Sequence, residues 1–257
     1  MPPQAVEAEV TDDSPLALRA ALLQARFLLG GPGARDGALA GLEELLKDPV
    51  APSNGTLLYC AGACLHVAGR SDEALTLNHT GVTLENLGLC VAVGLALDRA
   101  DFAGDVLTRM QAQDDDDTAT QLATAWVGAY VGGARAREAL VIYEELGGRW
   151  QWTPQLLNGA AAASLVMHEW SDAEQYLQRA LAANPKDADA LANMYVACQH
   201  LGKNSERALT ALRSAAPEPF VFKIRHPKLG QIEGFALYLP FVDGNEMSAA
   251  WNDGHKH

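Results

Sequence analysis

The sequence predicts an all-α fold, a solenoid of paired helices, on three observations. Apolar residues recur at helical spacing through most of residues 14–217. An alanine returns on the second helix of successive pairs, in most of them followed four positions on by a large apolar residue, at intervals close to one repeat length. Ala and Leu dominate a chain that is 49% hydrophobic and 20% charged, a composition that favours helix and a packed fold over disorder. The clearest unit is residues 153–187, two apolar-periodic halves joined by a short turn at 168–171. With Pro154 as position 1, Ala173, Leu177, Ala180 and Pro185 fall at positions 20, 24, 27 and 32, and Leu157 and Ala160 face the same seam. That is the packing pattern of a tetratricopeptide repeat, whose period is about 34 residues. Small residues at 20 and 27 let the second helix approach the first, a large one at 24 fills the space between repeats, and the proline ends the helix.

Taken in order, residues 1–13 read as a disordered acidic leader, and Ser14-Pro15 is a helix start. Leu16 to Leu29 is a helix that GGPG at 30–33 ends. Its partner runs from Ala34 to Lys47, with Ala38, Leu42 and Leu45 at the packing positions. After a loop at 48–55 come Thr56 to Val67 and Ser71 to Asn78, with Ala74 in register, 36 residues beyond Ala38. The third pair is Leu84 to Leu97 and Phe102 to Met110, where Ala103, Leu107 and Met110 take the positions. Its interval is 29, so the link at 79–84 is short or irregular. The acidic loop at 111–118 caps a helix near Thr118. Thr118 to Val131 and Arg135 to Leu146 follow, with Ala139 and Tyr143 in register at an interval of 36, and then the repeat first described at 34. A sixth pair starts at Ala188 and has Ser205 to Ser214 as its second helix. No such pair buries its apolar face alone, so neighbours must stack. Residues 218–257 change character: FVFKIRHPKLG and IEGFALYLPFV suggest a hairpin, followed by a polar tail.

Function classes narrow from composition. A formal net charge of −13 argues against nucleic acid and against direct contact with an anionic membrane surface. The N-terminus lacks the apolar core of a signal peptide. Cys60, Cys64, Cys90 and Cys198 are scattered among helices, as in a reducing cytosol rather than a disulfide framework. Metal chemistry finds little support. The Asp run at 114–117 lacks the spaced ligands and glycine of a calcium loop, and Cys60 and Cys64 with His66 read as core rather than zinc ligands. The glycine-rich stretch at 30–37 has no Lys-Ser/Thr after it, which makes it a helix connection. No paired carboxylates, nucleophile–base arrangement or cofactor loop stands at usable spacing, so the reading is non-enzymatic, without cofactor or metal. Trp126, Trp150, Trp152 and Trp170 read as seam and loop packing, with Trp150 and Trp152 in the turn GGRWQW as alternative partner contacts.

Three segments carry a family resemblance: LTRMQAQDDDDTATQLATAWV at 107–127, TPQLLNGAAAASLVMHEWSDAEQYLQRAL at 153–181 and ALANMYVACQHLGK at 190–203. Residues 103–203 resemble the epsilon subunit family of the coatomer, the COPI vesicle coat, and residues 14–102 follow it more loosely. Against the family the chain reads as short at its N-terminus, and residues 218–257 do not match the family's final helical segment. The resemblance implies a structural coat component whose repeats curl into a superhelical bracelet around the C-terminal region of the alpha subunit. Through that subunit it would join the rest of the coat and serve Golgi-to-ER retrieval and intra-Golgi transport. The protein would then be cytoplasmic and peripheral on Golgi membranes and COPI vesicles, reaching the membrane only through the coat.

In this repeat type the first helices line the concave surface through positions 2, 5, 9 and 12. The resulting candidate contacts are Tyr59, Ala63 and His66, with Thr56 beside them, then Ala92 and Leu95, with Glu85 and Gly88. Next come Gln121, Thr124, Gly128 and Val131. The last two sets are Gln155, Asn158, Ala162 and Leu165, and Ala192, Val196 and Gln199 with Asp189. Only Glu85 and Asp189 are charged, so the lining suits a closely embraced apolar segment of a partner better than a charged peptide tail. The same small residues also fit Ala-rich helices packed tightly on one another. The alternative function is a generic tetratricopeptide scaffold or co-chaperone binding a peptide segment.

Overall fold

A computed structural model describes residues 10–11, 14–81 and 83–215. The expected hairpin and tail at 218–257, and the leader at 1–13 apart from Val10 and Thr11, lie outside the described residues. Among the described residues there are twelve α-helices, a short 3-10 turn at Ala51–Ser53 and no strand. The helices are α1 Leu16–Leu29, α2 Pro32–Leu45, α3 Gly55–Val67, α4 Ser71–Asn78, α5 Leu84–Ala96 and α6 Ala100–Gln113. They continue as α7 Thr118–Val131, α8 Ala134–Arg149, α9 Pro154–Val166, α10 Trp170–Ala183, α11 Ala188–His200 and α12 Glu206–Ala215. The fold class is the predicted one, a tetratricopeptide-like α-solenoid of antiparallel pairs.

The register of the second helices is the one the spacing predicts. Ala38, Leu42 and Leu45, Ala74, Ala103, Leu107 and Met110, Ala139 and Tyr143, and Ala173, Leu177 and Ala180 are all buried. Two helices begin two residues earlier than expected. The GGPG stretch does not separate α1 from α2 as a whole: Pro32 and Gly33 already belong to α2, because the ring fixes φ near the helical value and the first-turn N–H it lacks has no intrahelical acceptor. Likewise α6 starts at Ala100, ahead of Phe102.

The chain divides into two compact units, one up to Val93 and one from Gly94 onward. In the first, Ala20, Phe27, Leu42, Leu57, Ala61 and Cys64 form a common core. A smaller cluster joins Ala63 of α3 to Leu89 and Val93 of α5. A buried polar network ties the same elements. The Asn86 amide donates to the Gly55 carbonyl at 3.0 Å and to Asn78 Oδ1 at 2.6 Å, and Asn78 Nδ2 donates to the carbonyls of Leu58 and Ala74. With every partner supplied, burial of these amides carries no unmet desolvation cost. In the second unit, α8, α9 and α10 pack closely, and α11 and α12 continue the stack.

Four of the intra-pair turns share one geometry. Gly69, Asp98, His168 and Gly202 all have left-handed backbone, with φ of 81°, 59°, 63° and 65°. In each, the next residue's N–H returns to the helix five residues back: Arg70 to Leu65, Arg99 to Gly94, Glu169 to Ser164 and Lys203 to Cys198, at 2.8–2.9 Å. This is the Schellman closure, which satisfies the last carbonyls of the first helix. The residue that follows the left-handed position is charged and ion-paired in all four: Arg70 with Glu43 and Glu73, Arg99 with Asp101, Glu169 with Arg137, and Lys203 with Glu174.

Candidate functional site

The first-helix positions divide by burial. On α3, Ala63 is buried in the cluster with Leu89 and Val93, and Tyr59 packs half-buried against it. His66 is buried, its Nδ1 2.8 Å from Ser71 Oγ at the start of α4. On α5, Ala92 and Leu95 are buried. On α7, Gln121, Thr124 and Val131 keep part of their surface, whereas Gly128 is buried where α8 crosses: a Cβ there would stand 2.6 Å from the Arg135 carbonyl oxygen. On α9, Ala162 and Leu165 are buried and Asn158 accepts a 2.9 Å hydrogen bond from Asn193 of α11, while Gln155 is exposed. On α11, Ala192 and Val196 are buried, and Gln199 is exposed, donating to Tyr195 Oη and Ser205 Oγ at 3.0 Å.

The small, apolar members of the expected lining therefore sit in intramolecular packing. The positions that remain in reach of a partner are Thr56, Tyr59 and Glu85 in the first unit, and Gln121, Thr124, Val131, Gln155, Asp189 and Gln199 in the second, polar or amphipathic but for Val131. Thr124 and Gly128 do border an open cleft of about 340 Å³ between α6, α7 and α8, with Gln111, Arg135 and Glu138 also on its walls. Thr124 Oγ1 returns its hydrogen to the Thr120 carbonyl, so its methyl faces outward from that bond.

The titratable groups favour a structural role. The four cysteines are free and buried, and burial pushes the thiols of Cys60 to about 11 and Cys64 to about 12, suppressing the nucleophilic thiolate. The Glu85 carboxyl is held below the usual range, chiefly by a hydrogen bond from Thr83. The Asp run serves the backbone: Asp117 caps α7 through the Ala119 N–H at 2.8 Å, and Asp114 accepts from the N–H groups of Asp116 and Asp117. Among the described residues no three His, Cys, Asp or Glu side chains converge as a metal site, and no helix is long and apolar enough to cross a membrane.

Two aromatic arrangements give the partners of the seam packing expected of Trp170 and Trp152. Trp170 stacks on His200 with centroids 3.9 Å apart and 5° between planes, joining α10 to α11. Trp152, from the loop before α9, lies on Gly147 of α8, 5.9 Å from the Tyr176 ring of α10, with the Arg179 guanidinium 4.8 Å over its face. Of the two tryptophans in GGRWQW, then, Trp152 closes a seam and Trp150 stands exposed. The signal for the first was the paired glycine at 147–148, which leaves room for an indole.

Comparison with known proteins gives one consistent answer. The family model for the coatomer epsilon subunit matches residues 3–228, so the match runs past the last described helix into the segment expected to diverge. Coatomer subunit epsilon-2 of Oryza sativa subsp. indica is 37% identical over 222 residues, covering 86% of this chain and 74% of the relative. Coatomer subunit epsilon-1 of Arabidopsis thaliana is 34% identical over 220 residues, covering 86% and 75%. The coatomer subunit epsilon of Dictyostelium discoideum is 29% identical over 188 residues, covering 72% and 63%. In fold, the chain is similar to a chain of the APC/C hetero-tetramer Cut9–Hcn1, with TM-score 0.63 at 13% identity over 85% of this chain and 44% of that one. It is similar also to a tetratricopeptide repeat protein from Parabacteroides merdae, with TM-score 0.61 at 15% identity over 89% and 88%.

Proposed function

Since the chain belongs to the coatomer epsilon subunit family, we propose that it works as a non-catalytic structural subunit of the COPI coat that holds the C-terminal region of the alpha subunit. The observation that carries this reading is the family match over residues 3–228, with relatives 34–37% identical across 86% of the chain. In this role the protein is cytoplasmic, reaches Golgi membranes and vesicles through the assembled coat, and supports Golgi-to-ER retrieval and intra-Golgi transport.

The surface assigned to the alpha segment is the uncharged first-helix residues of the second unit that keep exposure, Gln121, Thr124, Val131, Gln155 and Gln199, with Tyr59 as a further contact. Their amide, hydroxyl and short apolar groups suit a partner backbone and uncharged side chains more than an acidic or basic tail. The buried Ala162, Ala192, Leu165 and Val196 beneath them fix those faces in place rather than touching the partner.

Co-expression with the C-terminal third of a coatomer alpha subunit, followed by size-exclusion chromatography with light scattering, tests the reading. A stable one-to-one complex that weakens when Gln155 and Gln199 are both replaced by Glu is the expected result. A folded chain that elutes alone overturns it and leaves a scaffold for some other segment.

A further inference from the structure

One register position on the second helices carries a charged side chain in every pair but one. It stands two residues before the buried alanine of each helix: Ala38, Ala74, Ala103, Ala139, Ala173 and Ala208. The residues there are Asp36, Asp72, Asp101, Arg137, Ser171 and Glu206, acidic in α2, α4, α6 and α12, basic in α8 and a serine in α10. Negative charge is favoured at this place in α6. The Arg99 guanidinium, 3.0 Å away, and then the Phe102 N–H hold the Asp101 carboxyl down at about 2. Ser171 is exposed, and its hydroxyl has no hydrogen-bond partner among the described residues, whereas Ser71 is bonded to His66 and Ser205 accepts from Gln199. Asp172 and Glu174 follow it, and of all the serines and threonines in the chain Ser171 alone has a carboxylate three residues on.

We propose that Ser171 is a phosphorylation site for an acid-directed serine kinase, and that Arg137 holds the phosphate across the seam between α8 and α10. Carboxylates one and three residues beyond the acceptor hydroxyl match the basic substrate cleft of such a kinase. In the transfer, Ser171 Oγ attacks the γ-phosphorus of a nucleoside triphosphate. The Oγ–P bond forms, the β–γ phosphoanhydride bond breaks, the hydroxyl proton passes to the kinase's base, and the nucleoside diphosphate leaves. Arg137 is already in place. It holds the same register position on α8 and crosses to Glu169, two residues before Ser171, with a 3.0 Å pair. Its side chain remains 67% exposed, so the guanidinium keeps N–H groups for a phosphate. The modification adds a charge of about −1.5 to −2, and Ser171 then has the sign that Asp72 and Asp101 carry permanently. Presenting the motif opens the first turn of α10 and exchanges the Glu174–Lys203 pair for the kinase's own cations, while Leu177 and Ala180 keep the rest of the helix seated. None of these residues belongs to the surface assigned to the alpha subunit, so the site stands whether or not that assignment does.

The test treats the full chain with casein kinase II, an acid-directed kinase, and magnesium ATP, and maps the product by tandem mass spectrometry. The expected result is phosphate on Ser171, with incorporation abolished in the Ser171→Ala chain. Phosphorus-31 NMR of the product then follows the second ionisation of the phosphate, which a guanidinium partner lowers. Arg137→Gln should raise that ionisation by about half a pH unit, roughly threefold in proton affinity, the size of one exposed charge contact. Incorporation that persists in Ser171→Ala overturns the site. A folded chain that takes no phosphate overturns it too, whether or not the free peptide of residues 165–177 is phosphorylated, since the helix then withholds the motif. A phosphate that titrates alike with and without Arg137 overturns the bridge to α8.

Discussion

Gly159→Ala adds one methyl to the middle of α9, and its effect can be worked from two opposing quantities. Alanine is the better helix former by about 1 kcal/mol, which on its own predicts stabilisation. The new Cβ, however, would stand 2.5 Å from Tyr143 Cε1 and 2.6 Å from Cζ, closer than carbon atoms approach. Tyr143 is 2% exposed and belongs to α8, so the ring has no free space to retreat into and the helices must separate. Overpacking of that kind costs about 1–3 kcal/mol, and the direct clash with a ring places it at the upper end. The net expectation is a loss of about 1–2 kcal/mol, or roughly 3–6 °C in Tm for a domain of this size. Gly104→Ala is the matched control: also helical, with no atom within 4 Å of the added methyl, it should gain about 0.5–1 kcal/mol. Urea denaturation followed by far-UV circular dichroism reads both. In a Tyr143→Leu background the clash is gone, and Gly159→Ala should turn neutral or stabilising, a coupling of about 2 kcal/mol. Equal effects of Gly159→Ala in both backgrounds, or stabilisation in the parent chain, would refute the reasoning that the α8–α9 approach is set by this pair.

Other outcomes follow from the same structure. Asn158→Ala removes the acceptor of the buried Asn193 amide and should cost about 1–3 kcal/mol in the urea midpoint, more than the loss of an exposed hydrogen bond. Cys60 and Cys64 have thiols raised to about 11 and 12, so folding favours their protonated forms. The stability this supplies is complete below the ordinary thiol value and is lost as pH rises from about 9 through 11–12; a midpoint that climbs over that interval would contradict the burial. Arg137→Gln breaks the pair with Glu169 at 3.0 Å, but Arg137 is largely exposed, so a change below about 0.5 kcal/mol is expected, and a larger one would mean that the turn depends on it.

The second-helix register was legible because it depends on a local rule: Ala, and in most repeats a large apolar residue four positions on, must meet the preceding helix, whatever lies beyond. The first helices obey no such rule. Ala162 and Ala192 look like groove residues by position, yet each is closed in by neighbours on both sides, and only coordinates show which positions those neighbours cover. Asn158 illustrates the difference. In the sequence it is an uncharged lining residue; in the fold it is half of an amide pair whose other member stands a full repeat away. The start of α2 was missed for a different reason, since Pro-Gly after Gly-Gly reads as a turn unless the proline is seen to sit in the first helical turn. For Trp152 the sequence offers seam packing or a partner contact, and only the approach of Gly147 and Tyr176 from two other helices decides for the seam.

The shared closure at Gly69, Asp98, His168 and Gly202 bears on how such a chain can drift. Two of the four positions are not glycine, each accepting roughly 1–2 kcal/mol of backbone strain, while the dihedral and the returning N–H are the same. What passes from one repeat to the next is therefore an angle, not a letter. A chain built this way can exchange most of its alphabet and still draw the same curve at each bend, and in its own four turns it has already written that bend with three different residues.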